Sequence, residues 1–494
     1  MTQKYTAINI GPIIPTLDMA HGPRELWAAS YLFSYLMKCI IEQLPKDNII
    51  SPATFKKEEK NGIGLYPDRV FIKMGDASYK ETIEPVITNF AKDYNISSDY
   101  FNVMSVSGEY EKDSEAIKDL NSKLDRMELY NRAKNSSDED NIRGLIGLKF
   151  GSKLFEDAFG TKKFPVDTLG EIAAIELSGE SGWNDFVNAI RSDEKEKAEK
   201  AYDKLPKEKL RSYHKYICVV QADGDNVGKT VSHSSLENGQ VKKISNELLE
   251  FGKKAKKAID DYGGMPIYAG GDDLLFIAPV VGKNHLTILN LLDQLNKDAF
   301  KGVREKIDPY KLKTEDEKKK VIHASLSFGV SVSYYKYPLY EALDNARKLL
   351  FEKAKKVDGN AISFDFRKHS GGSFYMELSG ANEDLKNAFN AIVSTSKVED
   401  SVVSAIAHKI RSNSDLLSLW AGKERNGYFF KNYLEYEPDK VDVKKSDSDF
   451  YKDASLELLN VLTQTSTDKT KITSTMYAML RIAKFINGEE VKDE

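Results

Sequence analysis

Cysteine is nearly absent from this chain: Cys39 and Cys218 are the only two in 494 residues, and both sit inside apolar stretches. With no Cys-x-x-Cys pair, neither a disulfide framework nor a zinc site is expected, and the thiols read as small buried hydrophobes. No apolar run approaches bilayer-spanning length and the N-terminus shows no signal-peptide pattern, so a cytoplasmic protein with no membrane partner is expected. An excess of one charge is also missing. The 72 Lys+Arg and 76 Asp+Glu leave a net charge of -4, which argues against a chain-wide nonspecific nucleic-acid surface but leaves room for local basic faces. The seven histidines include no His-Asp dipeptide. What is present, 41% hydrophobic and 30% charged residues, describes a globular protein with core enough for roughly three or four domains.

The most informative stretch is Tyr262-Gly-Gly-Met-Pro-Ile-Tyr-Ala-Gly270-Gly271-Asp272-Asp273-Leu-Leu-Phe-Ile-Ala-Pro279. Short apolar runs at 266–269 and 274–278 flank residues of turn type, the pattern of a β-hairpin. The glycines permit a tight turn with open space above it. Asp272 and Asp273 then stand side by side at the tip, where like charges repel unless a divalent cation neutralises them. Alone, such a tip reads equally well as a polar turn.

A second acidic cluster shifts that balance. Residues 216–220 (Tyr-Ile-Cys-Val-Val) are a continuous apolar run that reads as a strand buried on both faces, and Asp223-Gly224-Asp225 follow where it stops. Carboxylates from two adjacent strands are what metal-assisted phosphoryl chemistry needs, because metal must bridge triphosphate and attacking hydroxyl together. Gly224 and Gly228 let backbone approach phosphate, and the segment beyond them is placed to open a helix.

The remaining pattern divides into four regions. In 1–105, a strand at 5–10, a helix from Arg24 to about Pro45, strands at 48–51 and 69–74 and a helix over 80–92 fit a ferredoxin-like α+β unit. There Pro67-Asp68-Arg69 reads first as a turn and second as part of a pocket. Region 106–212 reads as a charged helical linker, with Ser192 to Tyr202 as a solvated helix. Region 213–370 is a second α+β unit: the acidic strand, a helix over 243–261, the hairpin, a helix over 286–295, the lysine-rich loop at Lys318–Lys320, a strand over 322–332, a helix over 338–355 and a strand over 361–364. Lys355 falls near the end of that helix, where a helix-dipole role and a phosphate contact are both consistent with its spacing. From about Ser373, region 371–494 reads as helices over 382–394, 401–411, 453–463 and 473–486. Within it, His408 to Arg411 fits either an RNA contact or a solvated face.

Several motifs together resemble the large palm/cyclase subunit of type III CRISPR effector complexes, subtype B. They are Ile267-Tyr-Ala-Gly-Gly-Asp-Asp273, Ala222-Asp-Gly-Asp225, Ser327-Phe-Gly329, Tyr335-Lys-Tyr-Pro-Leu339 and Ala354-Lys355 with Gly359-Asn-Ala361. Ile10-Gly-Pro12 and Arg24 to Leu32 resemble that family's first palm, and Phe164-Pro165 with Glu171-Ile-Ala173 a segment of its middle. The resemblance covers most of residues 5 to 370 and implies two ferredoxin-like palm domains, a helical insert and a C-terminal helical domain. It further implies ATP as substrate, Mg2+ (or Mn2+) as cofactor, and activation by target RNA within a complex of other subunits and guide RNA. Carried over residue by residue, it implies metal ligation by Asp223 and Asp272, with Asp273 assisting metal or activating the hydroxyl. Gly270, Gly271, Gly224, Ser327 and Lys355 would lie against nucleotide, and Asp225 would either do the same or orient a metal ligand.

The departures count as well. The chain starts directly at the first palm, with no His-Asp nuclease motif and no zinc-binding cysteines, so DNA cleavage is not expected. This compact form resembles the branch found with CorA-type membrane effectors, whose enzymes join AMP to S-adenosylmethionine. That co-substrate is slightly favoured over a second ATP giving cyclic oligoadenylate. A different class of reading is an inert scaffold subunit, disfavoured because a purely structural turn gains nothing from adjacent repelling carboxylates.

Overall fold

A computed structural model describes residues 2–54, 62–74, 77–131, 153–159, 166–233, 235–307, 324–357, 359–380, 382–395, 400–420, 423–436, 446–465 and 469–488. The Lys318–Lys320 loop, Phe164-Pro165 and residues 322–323 of the expected strand lie outside them.

The first unit is built on strands β1 (Gln3–Gly11), β2 (Ile49–Ser51), β3 (Arg69–Ile72) and β4 (Asn102–Tyr110), with helices α1 (Pro23–Gln43) and α2 (Ala77–Asp93). The sheet order β2-β3-β1-β4 is that of a ferredoxin-like βαββαβ unit. Pro23 opens α1, where its missing N–H costs nothing, and Trp27, Leu32, Leu36 and Ile40 bury its inner face. β4 has no counterpart among the expected elements. Its Ser105-Val-Ser-Gly-Glu run is only half-buried, so it gives a weak apolar alternation.

The second unit repeats the topology and extends it. β5 (Tyr216–Asp225), α3 (Gln240–Tyr262), β6 (Met265–Gly270), β7 (Asp273–Pro279), α4 (Ile288–Gln294) and β8 (Ser325–Tyr334) form the core. α5 (Leu339–Lys348) then leads to β9 (Ala361–Arg367), parallel to β8, and β10 (Ser373–Ser379) pairs with β9. The full order is β10-β9-β8-β5-β7-β6. Residues 373–379 therefore do not open the helical region as expected: they add a last strand to the palm sheet. The alternation Phe374, Met376, Leu378 accounts for this, with Met376 and Leu378 buried.

β8 shows why the sheet packs as it does. Leu326, Phe328, Val330 and Val332 face one core, while Ser327, Gly329 and Ser331 occupy the alternate face. On that face α5 comes so close that a Cβ at Gly329 would stand 2.1 Å from Ala346 O. Small residues on one strand face thus set the distance of the following helix.

Between β4 and β5 the regular elements among the described residues are helices, and Glu171 is buried in a two-pronged pair with Arg191 (2.8 and 2.5 Å). The solvated helix expected over 192–202 is only Lys195–Glu199. Tyr202 turns inward and donates to His214 O at 2.8 Å, because its ring fills a gap against Phe186 and Tyr335. The C-terminal region holds helices at Glu383–Thr395, Asp400–Ser412, Ser414–Trp420, Lys423–Leu434, Asp447–Thr465 and Lys469–Ile486. Phe485 stacks on Phe366 of β9 (4.0 Å between ring centres), joining this bundle to the palm. Among the described residues no helix is long and apolar enough to cross a membrane.

Candidate active site at the acidic hairpin

β5 runs beyond its apolar stretch through Asp225. Its odd-numbered residues share one face: Ile217 and Val219 enter the core beneath the first palm, and Gln221, Asp223 and Asp225 follow them. β5 pairs with β7 up to Ala222↔Leu274. Continuing that antiparallel register by two residues sets Asp223 beside Asp273, and Gly224 beside Asp272. The second juxtaposition explains the glycine, since a Cβ on Gly224 would lie 2.7 Å from Asp272 Cβ and 2.8 Å from its Oδ2. The hairpin turn itself is shorter than the sequence suggested. Gly270 pairs with Asp273, and Gly271 supplies the left-handed φ (+68°) that a two-residue turn requires at its first position. Nothing lies within 4 Å of a Cβ built on Gly271, so the space over the turn is open. At Gly270 a Cβ would instead strike the Tyr268 ring.

Neither Asp225 nor Ser327 lies on the site's surface, where a contact with nucleotide would need it. Asp225 is 6% exposed and Ser327 0%. Asp225 accepts hydrogen bonds from Ser325 Oγ (2.7 Å), Ser327 Oγ (2.9 Å) and Asn360 N (2.8 Å), forming a closed knot under the hairpin. Its oxygens are engaged by the protein, which makes it a positioning residue. Gly359 (φ +84°) and Asn360 (φ 53°) take the left-handed conformations that aim this backbone N–H inward.

Lys355 is held by an irregular end to α5. The regular helix stops at Lys348, and a π-helical turn (Leu349–Lys353) and a 3-10 turn (Ala354–Lys356) follow. The long helix expected over 338–355 is broken there, and Lys355 does not serve its dipole. Its Nζ reaches β5 instead, donating to Gly224 O (2.8 Å), Asp225 Oδ1 (3.0 Å) and Asp223 Oδ2 (2.7 Å). Burial works against its charge, but Asp223 and Asp225 outweigh that and raise its pKa.

The remaining carboxylates carry surplus negative charge. Burial, then the Asp223 charge, pushes Asp272 up to about 7. Burial, Asp223, Asp272 and Asp68 likewise push Asp273 well above the usual carboxylate range, although its side chain still reaches solvent. Such a cluster favours a cation. Among the described residues no three acidic, histidine or cysteine side chains converge as a ready-made metal cage. Two adjacent carboxylates, Asp223 and Asp272, nonetheless fit Mg2+, a hard ion that takes one or two protein carboxylates and completes its shell with water and phosphate oxygens.

Beside the hairpin is a cavity of about 270 Å³ between the two palms. The first palm contributes Ile13, Phe33, Tyr66 and Asp68, and the second Gln221, Tyr268, Asp273 and Arg347. Of Pro67-Asp68-Arg69, read first as a turn, the structure brings Asp68 to this cavity, opposite Asp273. Burial raises the Asp68 pKa against the pull of Arg69. Arg347 has Asp18 within 3.9 Å. Sequence reasoning missed Tyr66, Tyr268 and Arg347, because their common site arises only when Gly64 of the first palm bridges Tyr268 and accepts from Ala269 N at 2.9 Å.

Residues 216–363 match the family model for the Cas10/Cmr2 second palm domain, and residues 5–94 that for the N-terminal part of CRISPR-associated protein Cmr2. A curated relative, the CRISPR system Cmr subunit Cmr2 of Pyrococcus furiosus, is 28% identical over 272 residues, covering 49% of this chain and 29% of that protein. The chain's match thus spans under a third of that relative's length. Among solved structures, type III-B Cmr-beta bound to cognate target RNA matches with TM-score 0.54 and 11% identity, over 90% of this chain and 80% of that one. The Csm1-Csm4 cassette in complex with pppApA matches with TM-score 0.52 and 12% identity, over 93% and 69%. At these identities the two structures bear on the fold alone. Most of the first sheet thus falls in the stretch that matches the Cmr2 N-terminal model, and the part of the second sheet bearing Asp223 and Asp272 in the stretch that matches the Cas10/Cmr2 second-palm model.

Proposed function

We propose that this chain is the large subunit of a type III-B RNA-guided effector complex, with guide RNA, target RNA and other subunits as partners, and that its inter-palm cleft transfers AMP from ATP to an acceptor. The observation that carries this is the nearness of Asp223 to both turn carboxylates, Asp272 and Asp273, with Asp273 lining a cavity between the two palms. An acceptor hydroxyl attacks the α-phosphorus, the bond to the bridging oxygen breaks, and pyrophosphate leaves with the electron pair. Asp273, facing the cavity with a raised pKa, takes the hydroxyl proton. Asp223 and Asp272 would hold the divalent cation, whose chemistry is to neutralise charge on the triphosphate. Lys355 adds a fixed positive charge against phosphate, and the open space above Gly271 admits the nucleotide.

The cavity's chemistry supports S-adenosylmethionine as acceptor. Its lining has two acids, Asp68 and Asp273, two tyrosines, Tyr66 and Tyr268, and one cation, Arg347, that already has Asp18 near it. A second triphosphate would meet net negative walls, whereas a sulfonium is attracted by carboxylates and ring faces. The second reading, oligoadenylate synthesis from ATP alone, draws on the shared fold of the Csm1-Csm4 cassette, which was solved with pppApA. The two are separated by incubating the purified complex with target RNA, Mg2+ and labelled ATP, with and without S-adenosylmethionine, and resolving products by mass. A conjugate that needs S-adenosylmethionine and vanishes in Asp272→Ala/Asp273→Ala is expected. Oligoadenylates from ATP alone would establish the second reading, and no product under either condition would leave an inert scaffold.

A further inference from the structure

The end of the second-palm sheet remote from the acidic hairpin carries a groove of about 610 Å³. Its wall includes Tyr334, which pairs with Tyr216 at the start of β5. Asp223 lies seven residues further along that strand, roughly 23 Å at the usual strand rise. The rim is made by Lys336, Tyr337 and Pro338 before α5, by Arg367 ending β9, and by the turn 368–372 that leads into β10.

Cations dominate this groove. Lys336, Arg367 and Lys368 line it with a single acid, Asp365, whose Oδ2 is occupied by Arg367 Nε (2.8 Å) and Asn345 Nδ2 (2.8 Å). Arg367 is oriented in advance: besides Asp365 it donates to Tyr337 OH (2.9 Å) and Asn345 Oδ1 (2.9 Å). A guanidinium has five N–H donors, so two are left for a ligand, and 37% of the side chain is exposed. Next to it stands an aromatic wall, with His369 and Tyr334 ring centres 4.6 Å apart. Above the turn, Cβ atoms built on Gly371 and Gly372 would meet nothing within 4 Å.

We propose that this groove binds a nucleotide, its phosphate on Lys336, Lys368 and Arg367 and its base stacked on the Tyr334/His369 wall. An ordinary solvated basic rim needs neither an aromatic wall nor an arginine fixed on three partners. A guanidinium fixed in place beside the exposed His369 ring and the half-buried Tyr334 is a combination that holds phosphate and base together. The assignment does not depend on what the acidic cleft does. The nucleotide can be free or part of a single strand, and the test distinguishes these sources.

The test is fluorescence anisotropy of the full chain with labelled single-stranded RNA decamers, with AMP as competitor. Binding is expected to weaken at least tenfold in Lys336→Glu/Lys368→Glu. Neutralising them in Lys336→Gln/Lys368→Gln should lower the salt slope by about 1.4, from two contacts at about 0.7 each on a single strand. His369→Ala, at the exposed rim, should cost roughly fivefold or more through lost stacking. Equal charge reversal at the exposed Lys257 and Lys301, which lie outside the groove, should leave binding near wild type. Competition by AMP at concentrations close to those of strand nucleotides identifies a free-nucleotide site, and competition only by strands identifies a strand site. The proposal falls if wild-type protein binds neither strand nor AMP, if the groove variant binds as wild type does, or if the Lys257/Lys301 control loses as much affinity as the groove variant.

Discussion

Lys355 Nζ stands between two carboxylates, 2.7 Å from Asp223 Oδ2 and 3.0 Å from Asp225 Oδ1, and those carboxylates have different tasks. Asp225 is locked by serine hydroxyls and a backbone N–H, whereas Asp223 is 23% exposed and adjoins the repelling pair at the turn. Asp225→Asn should therefore lower stability by about 2 kcal/mol or more, the scale of hydrogen bonds to a buried charge. Asp223→Asn should leave the thermal midpoint unchanged or raised while abolishing nucleotide product. Thermal melts beside a mass-resolved activity assay check this, and equal destabilisation by both variants would refute the division of roles.

A second contrast concerns two glycines three positions from the chemistry or less. Gly224→Ala places a methyl into Asp272, and a displacement of the order of 1 Å at a reacting site costs about 100-fold in rate. Gly271→Ala meets open space and pays only for its left-handed φ, about 1–2 kcal/mol of stability. Activity lost at position 224 and largely kept at 271, at a temperature where both variants are folded, is the expected result.

The raised Asp272 pKa has a pH consequence of definite sign. A carboxyl pushed from 3.8 to about 7 holds its proton more tightly folded than unfolded, so it lowers the stability of metal-free protein progressively as pH rises from about 4 through 7. Asp272→Asn should then raise the melting temperature of metal-free protein at pH 8 and have little effect at pH 4. Mg2+ should narrow the difference at pH 8 by neutralising Asp272. A pH-independent effect in melts at the two pH values would count against the charge cluster.

Glu176 behaves in the opposite sense. Burial opposes its charge, but hydrogen bonds from His214, His285 and Tyr213 overcome that and bring it down to about 2. Its contribution is fully present above an unfolded value near 4.5 and is lost as pH falls toward 2. Glu176→Gln should cost about 3 kcal/mol at pH 6, the free energy corresponding to a shift from 4.5 to about 2, and almost nothing below about pH 1.5. Denaturant titrations at those pH values measure it.

How much of this was legible beforehand follows from the kind of signal each residue carries. The hairpin and acidic strand announce themselves locally, since apolar runs end at carboxylates and glycines. The helices α1 and α3 were likewise placed within a few residues, because periodicity and proline or glycine stops mark them. β4 and β10 were not, being half-exposed strands recognisable only by their partners β1 and β9. Asp225 and Asp223 look alike in sequence and differ only in what β8 and Asn360 bring to them. The cavity's Tyr66 and Tyr268 lie about 200 positions apart, and no local pattern links them.

β6 is the last strand of its sheet, and such an edge offers unsatisfied main-chain groups to any passing strand. Here Gly64 occupies part of it, through its bond from Ala269 N. A fragment cut to residues 213–380 would lose that cover and present β6 bare, two residues from the turn that carries Asp272. Self-association of such a fragment through this edge would mask or distort the hairpin, so the first palm acts as a solubility guard for the second as well as the roof of its cavity.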